Sequence, residues 1–423
     1  MHRFTYFKKY TVVGVIGSLL LSITACQNNY SSSLPPRLQT FTSFASEKTL
    51  NTDSYVVQTI ESKLWDKIEL IRTPGLPQEK MLYQGRHRDS DIVKCFGTDM
   101  PSSTDFCLHD AGIPQNLKYQ TPVLLIHGAN TNATRAWADP DGDGKTTGLA
   151  QFLKKQGFRV FAITFANKHG DNLIWSGHIN RAITRIKELT KCQKVDLIGH
   201  SKGGFALRLY VSNIGQKFYT NDVNKAIFIG TPHRGIDYSF RHPVINWGLY
   251  PATDDPVRYA PMPWIKILYQ GKWNDTKDVS FSGEYFPGQS QMLAKWDNVY
   301  PLSKAENDWW TTYYGGQGFV SNSPGIDAII QQGGNMVQKL QNTPVVPNVK
   351  VAILAGNKPD VPGIYNELTG PSDGIVFVKS ATASSDLAAG GATLLSETVM
   401  PLNHLALISD SKAMEWVYTQ LKN

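Results

Sequence analysis

Five short, uninterrupted apolar runs limit this chain's folding choices more than any other feature: "PVLLIHGAN" (122–130), "FRVFAITFAN" (158–167), "KVDLIGHS" (194–201), "NKAIFIGTP" (224–232) and "NVKVAILAG" (348–356). A strand with one wet face alternates apolar and polar residues, so continuous runs of this length mark strands covered on both faces. Helical patterns lie between them: "TGLAQFLKKQG", "INRAITRIKELTKCQ" and "GGFALRLYVSNIG". Strand and helix in alternation predict an α/β fold, a mostly parallel central sheet with helices on both faces. At 423 residues and 41% hydrophobic, the chain is long enough to bury such a core.

The N-terminus reads differently. Arg3, Lys8 and Lys9 precede the apolar stretch "TVVGVIGSLLLSIT", and small residues follow it, the pattern of an export signal. Its end, Ile23-Thr24-Ala25-Cys26, resembles the bacterial lipobox, which implies lipidation of Cys26 and cleavage before it. "QNNYSSSLPPR" then supplies a polar, turn-rich tether. Loss of residues 1–25 leaves 39 basic against 35 acidic side chains, a formal +4, too mild to argue for nucleic acid. The expected location is the bacterial cell envelope, the outer membrane in a Gram-negative cell, with release as a secreted protein the alternative. In that oxidising setting Cys95 and Cys107, which bracket "FGTDMPSSTDF", are expected to form a disulfide, with Cys192 left unpaired.

Chemistry concentrates at the third run. Ser201 lies in Gly-His-Ser-Lys-Gly, where a strand turns into a helix. Projecting a nucleophile there takes a tight, strained turn, and flanking glycines let neighbouring backbone approach. A serine hydroxyl is a poor nucleophile until a histidine accepts its proton and an acid orients that histidine. His404, ahead of a final amphipathic helix, is the candidate base. Asp373, in a Pro-Ser-Asp-Gly turn, is the candidate acid, and Asp360 in "NKPDVPG" is its rival.

Together "LLIHGAN", "IGHSKGG", "GTPHRG", "PSDGIVFV" and "NHLAL" resemble the bacterial lipases and esterases of the α/β-hydrolase superfamily, from about residue 119 to the end apart from one insertion. The resemblance implies Ser201 as nucleophile, Asp373 as orienting acid, His404 as general base, and the backbone N–H groups of Ala129 and Lys202 as the oxyanion hole. The superfamily's chain order of Ser, acid, His favours His404 over His127, His200 and His233. The resemblance also implies a cap or lid over residues 236–345, which hold six of the ten tryptophans. Those aromatics suit either an acyl or aromatic substrate or a small core of the cap's own.

The expected organisation is therefore a signal peptide (1–25), a tether (26–48), an N-terminal extension adding strands to the core (49–118), the first part of the core (119–235), the cap (236–345) and the second part of the core (346–423). No cofactor is expected. "DPDGDGK" places Asp139, Asp141 and Asp143 at alternate positions as a calcium loop does, but Ala150 stands where a bidentate acid would close the site, so calcium is the weaker reading. The implied activity is cleavage of carboxylic esters or lipids through an acyl-enzyme, at a membrane reached by the lipid anchor. An acyltransferase or thioesterase would use the same serine, and a non-catalytic binding lipoprotein would need none of these parts. Cys26→Ala should move the protein into the soluble fraction and abolish labelling by a fatty-acid probe; unchanged membrane fractionation would contradict the lipobox reading.

Overall fold

The computed structural model describes residues 54–243, 263–269, 271–275, 285–302 and 309–423; Cys26, the signal peptide and the tether lie outside them. Nine strands form one sheet: β1 (Tyr55–Ile60), β2 (Lys67–Arg72), β3 (Asp105–Asp110), β4 (Tyr119–Ile126), β5 (Phe158–Phe165), β6 (Val195–His200), β7 (Val223–Ile229), β12 (Lys350–Gly356) and β13 (Thr393–Met400). Their order is β1-β2-β3-β5-β4-β6-β7-β12-β13. From β5 onward every neighbouring pair is parallel, whereas β1, β2 and β3 join antiparallel at one edge. The order runs one way from β4 to β5 and the other way from β6 outward, and this reversal, which puts helices on both faces, is the α/β-hydrolase arrangement.

The continuous apolar runs have the burial they foretold, with β6 buried along its whole length. One apolar cluster, including Leu125, Ile198 and Leu354, covers one face, and a second, including Leu124, Leu197 and Ile353, covers the other. The alternation of neighbours between the two is the period-2 signature of a strand coated on both sides. Helices α1 (Ser90–Phe96), α2 (Leu149–Gln156), α3 (Asn172–Thr190) and α4 (Lys202–Val211) are among those that pack on it. Within the insertion, β8 (Lys266–Tyr269), β9 (Lys272–Asp275), β10 (Gly316–Gln317) and β11 (Ser321–Ser323) form a separate four-stranded sheet.

The insertion is rooted in the core. Phe205 and Leu209 of α4 pack with Met292, Met336, Val337 and Leu340. Arg208, fully buried, donates from Nη1 to the His233 carbonyl at 2.9 Å and from Nη2 to the Leu340 carbonyl at 2.7 Å. Trp264 and Trp296 are buried and spend their indole N–H groups inside the protein, on Thr312 Oγ1 and the Gly235 carbonyl. Both belong to an interior, which favours the core role for these two cap tryptophans.

Cys95 of α1 and Cys107 of β3 are buried side by side as free thiols in hydrogen-bond contact, so the expected disulfide is open although its two partners are brought together. Cys192, half-buried past the end of α3, accepts a hydrogen bond from Thr190 Oγ1.

All nine described histidines are buried, and for seven the neutral form is enforced. Burial lowers His87 and His178 to about 4 and His109, His127 and His169 to about 3, with His200 and His233 also well below the ordinary value. In the unfolded chain each returns to about 6.5, so the unfolded state binds more protons in acid. Their contribution to stability is whole above about pH 6.5 and is lost as pH falls toward 4. Calorimetry should find Tm at pH 4.5 at least about 10 °C below that at pH 7.5; a flat profile over that range would contradict neutral burial.

Candidate active site

Ser201 follows β6 and caps α4 with φ 53° and ψ −125°. A non-glycine residue there carries strain of about 1–3 kcal/mol and persists only where its surroundings hold it. Two bonds do so: the Ser201 N–H donates to the Ile229 carbonyl at 2.9 Å, and the Phe205 N–H donates to the Ser201 carbonyl at 3.1 Å. The motif glycines are needed because backbone meets backbone. A Cβ on Gly199 would lie 2.6 Å from Gly204 Cα, and one on Gly203 would lie 2.2 Å from the His127 carbonyl oxygen.

Three side chains from three loops converge. His404 Nε2 lies 2.9 Å from Ser201 Oγ, and His404 Nδ1 lies 2.7 Å from Asp373 Oδ2. With Nδ1–H donated to the carboxylate, Nε2 is left to accept the serine proton. Asp373 is buried after β12, and its other oxygen accepts the N–H groups of Ile375 at 3.0 Å and Val376 at 2.8 Å. The His404 N–H also donates to the Asp373 carbonyl at 2.9 Å, tying the two loops through their backbones. The rival Asp360 instead faces solvent, bonded to Lys358 and Asn403.

The loop after β4 comes up against the serine: a Cβ on Gly128 would lie 3.0 Å from Ser201 Cβ. Among the described residues neither the Ala129 N–H nor the Lys202 N–H has an acceptor, and Lys202 is the first residue of α4, where helices leave amides free. His127 fixes this loop in a way the sequence did not reveal. Its Nδ1 donates to the Gly128 carbonyl at 2.7 Å while Nε2 accepts the Phe165 N–H at 3.3 Å. That carbonyl and the Ala129 N–H share one peptide plane, so the ring sets the direction of the amide. His200 likewise supports the base, donating from Nε2 to the His404 carbonyl at 3.0 Å.

Above the serine lies a cavity of about 620 Å³. Ile236, Met292, Leu293, Val361, Ile375 and Leu405 give it an apolar wall, and Asn130, Thr131, Ser239 and Gln289 a polar one. Among the described residues no tryptophan lines it. The aspartate-rich loop borders it through Pro140 and Asp141. Asp139, however, has turned onto its own backbone, accepting the N–H groups of Gly142, Asp143 and Gly144, and Asp143 pairs with Lys145. Among the described residues no three acidic, histidine or cysteine groups gather for a metal.

A family profile described as Palmitoyl protein thioesterase matches residues 122–312, which hold Ser201 and Ala129 but end before Asp373 and His404. Among solved structures, the chain is similar to the mature form of a lipase from Bacillus licheniformis (16% identity over 74% of this chain and 97% of that one, TM-score 0.39). It is also similar to a thermostable carboxyl esterase from Bacillus coagulans (12%, 75% and 94%, 0.40) and to a soluble variant of monoglyceride lipase from Saccharomyces cerevisiae (13%, 82% and 94%, 0.41).

The geometry separates the two acids by experiment. Asp373→Asn should slow fluorophosphonate labelling of Ser201 by about 100-fold or more, and Asp360→Asn should leave it within about twofold of wild type; the reverse ranking would reassign the acid.

Proposed function

We propose that this α/β-hydrolase cleaves carboxylic esters through an acyl-enzyme on Ser201. The observation that carries the reading is the hydrogen-bonded chain from Ser201 Oγ through His404 to Asp373, set against two unsatisfied amides. His404 takes the serine proton as Oγ attacks the acyl carbon, and the imidazolium is stabilised by Asp373. The Ala129 and Lys202 N–H groups receive the charge that develops on the carbonyl oxygen. His404 then returns the proton to the leaving alkoxide, and water, activated by the same ring, releases the acid. The apolar wall of the cavity suits an acyl chain and the polar wall the leaving group.

Thioesters are a second reading, favoured by the profile match over residues 122–312. The same proton path serves it, since only the leaving atom changes from oxygen to sulfur. Export with a lipid anchor on Cys26 and a Cys95–Cys107 disulfide closed after export complete the proposal, placing the enzyme where lipid substrates and an oxidising environment coincide.

Purified protein assayed on p-nitrophenyl esters of graded chain length, with thioesters of the same acyl groups alongside, should show turnover in at least one series. Ser201→Ala and His404→Ala should each lose roughly four to six orders of magnitude in kcat, and the double variant little more, because the residues act as a unit. Wild-type turnover by Ser201→Ala would end the proposal, and a higher kcat/KM on the thioester of a matched pair would select the second reading.

A further inference from the structure

The Lys202 side chain has a setting that the reaction above does not use. Its backbone supplies one of the two free amides beside Ser201, yet its four-carbon stem runs inward and is fully buried. Nζ lies 3.2 Å from the centre of the Trp175 ring and has no hydrogen-bond partner among the described residues. Room for it has been made: a Cβ on Gly288, in the helix Pro287–Ser290, would lie 2.4 Å from Lys202 Cε and 2.9 Å from Nζ.

Burial disfavours the charged form of this amine, and the carboxylates of Glu79 and Asp171 oppose that shift without forming an ion pair with it among the described residues. Glu79 comes from the N-terminal extension and is itself fixed. Its Oε1 accepts the Asp171 N–H at 2.7 Å, its Oε2 accepts Asn167 Nδ2 at 3.3 Å, and its own N–H donates to Ser103 Oγ at 2.7 Å. Trp175 is held in turn, stacked on Phe165 at 3.8 Å with Nε1 donating to the Asn167 carbonyl at 3.0 Å. An aromatic face backed by acidic groups is a seat for a cation.

We propose that the Lys202 side chain is a positioning residue for the oxyanion-binding amide of its own backbone, and that Glu79 and Trp175 hold it in place. The stem works as a strut: with Nζ seated and Cε against Gly288, the first turn of α4 cannot rotate about the strained Ser201, so the Lys202 N–H keeps its aim. Burial pulls the Lys202 amine well below its ordinary pKa and raises Glu79 to about 7, so each favours losing its charge unless the other keeps it. The geometric link is indirect: Glu79 fixes Asn167 through Oε2 and the Asp171 N–H through Oε1, and the Asn167 carbonyl in turn holds Trp175 Nε1, so the N-terminal extension, which lies outside the motifs around Ser201, braces the ring against which Lys202 is seated.

The inference rests on the acyl-enzyme reading, and the test separates the two. Lys202→Met keeps an unbranched stem and removes the charge. Against a trifluoromethyl ketone, whose hemiketal oxygen occupies the oxyanion position, the variant should bind about 10 to 100 times more weakly, with kcat falling in parallel and KM changing less than about threefold. That range lies below the 100- to 1,000-fold loss typical of removing an oxyanion donor outright. A structural role alone would lower the unfolding temperature without this split between Ki and KM. Wild-type Ki and kcat in a folded Lys202→Met protein overturn the proposal, as does a loss confined to KM. Should Lys202→Met fail to fold, Glu79→Gln decides: a parallel threefold to tenfold loss in Ki and kcat supports the strut, and wild-type values overturn it. Ser201→Ala is measured beside them. If it is inactive while Lys202→Met keeps wild-type Ki, this inference alone falls; if it turns over substrate normally, the acyl-enzyme reading falls and the inference with it.

Discussion

Everything at the site depends on how closely α4 lies on the ends of β4 and β6. Gly199 and Gly204 touch through their backbones, and Gly203 rests on the His127 carbonyl, so any side chain at these glycines would push the helix away from the sheet. That contact forces the sharp turn at Ser201 and its positive φ. The turn in turn lifts the hydroxyl clear of the strand ends, toward His404, and leaves the first amide of α4 free. Strain at one residue is thus the cost of a geometry that many buried contacts hold in place.

The rest of the site is fixed by buried polar groups bonded to backbone and to one another. Asp373 uses one oxygen on two backbone amides and the other on His404, so the carboxylate has one orientation. His127 and His200 hold the Gly128 and His404 carbonyls, and burial keeps both rings neutral. Such groups have few alternative partners in a low dielectric, so a satisfied network holds one arrangement. A network at the foot of the insertion extends the same logic: Asp237 pairs with Arg241, and Glu367, on the loop that leads to Asp373, accepts from His242 at 2.9 Å. The insertion and the acid loop are therefore joined by charge as well as by packing.

The segments outside the recognisable motifs contribute more than cover. Strands β1 to β3 extend the sheet, and the loop after β2 carries Glu79 beneath the elbow. The insertion supplies Met292, Leu293 and Gln289 to the cavity and Gly288 to the Lys202 cage, while Trp264 and Trp296 pack away from it. These two tryptophans thus belong to the interior of the insertion, whereas Trp273 is exposed.

The sequence by itself determined the parallel core and the order of its parts, because a strand buried on both faces must be apolar throughout and a strained strand-to-helix turn must be flanked by glycine. These are local requirements, visible in any window that contains them. It also located Ser201, Asp373 and His404 as candidates, since each sits in a short motif of its own. What only the tertiary structure decided are relations between distant residues: that Asp373 rather than Asp360 reaches His404, that His127 aims the Ala129 amide, that Asp139 folds back on its own loop, and that Lys202 lies against Trp175, whose indole is held by Asn167 and so by Glu79 from far earlier in the chain. None of these leaves a periodic or compositional trace, because each depends on which loops the sheet order brings side by side, and that order is settled by packing across the whole core.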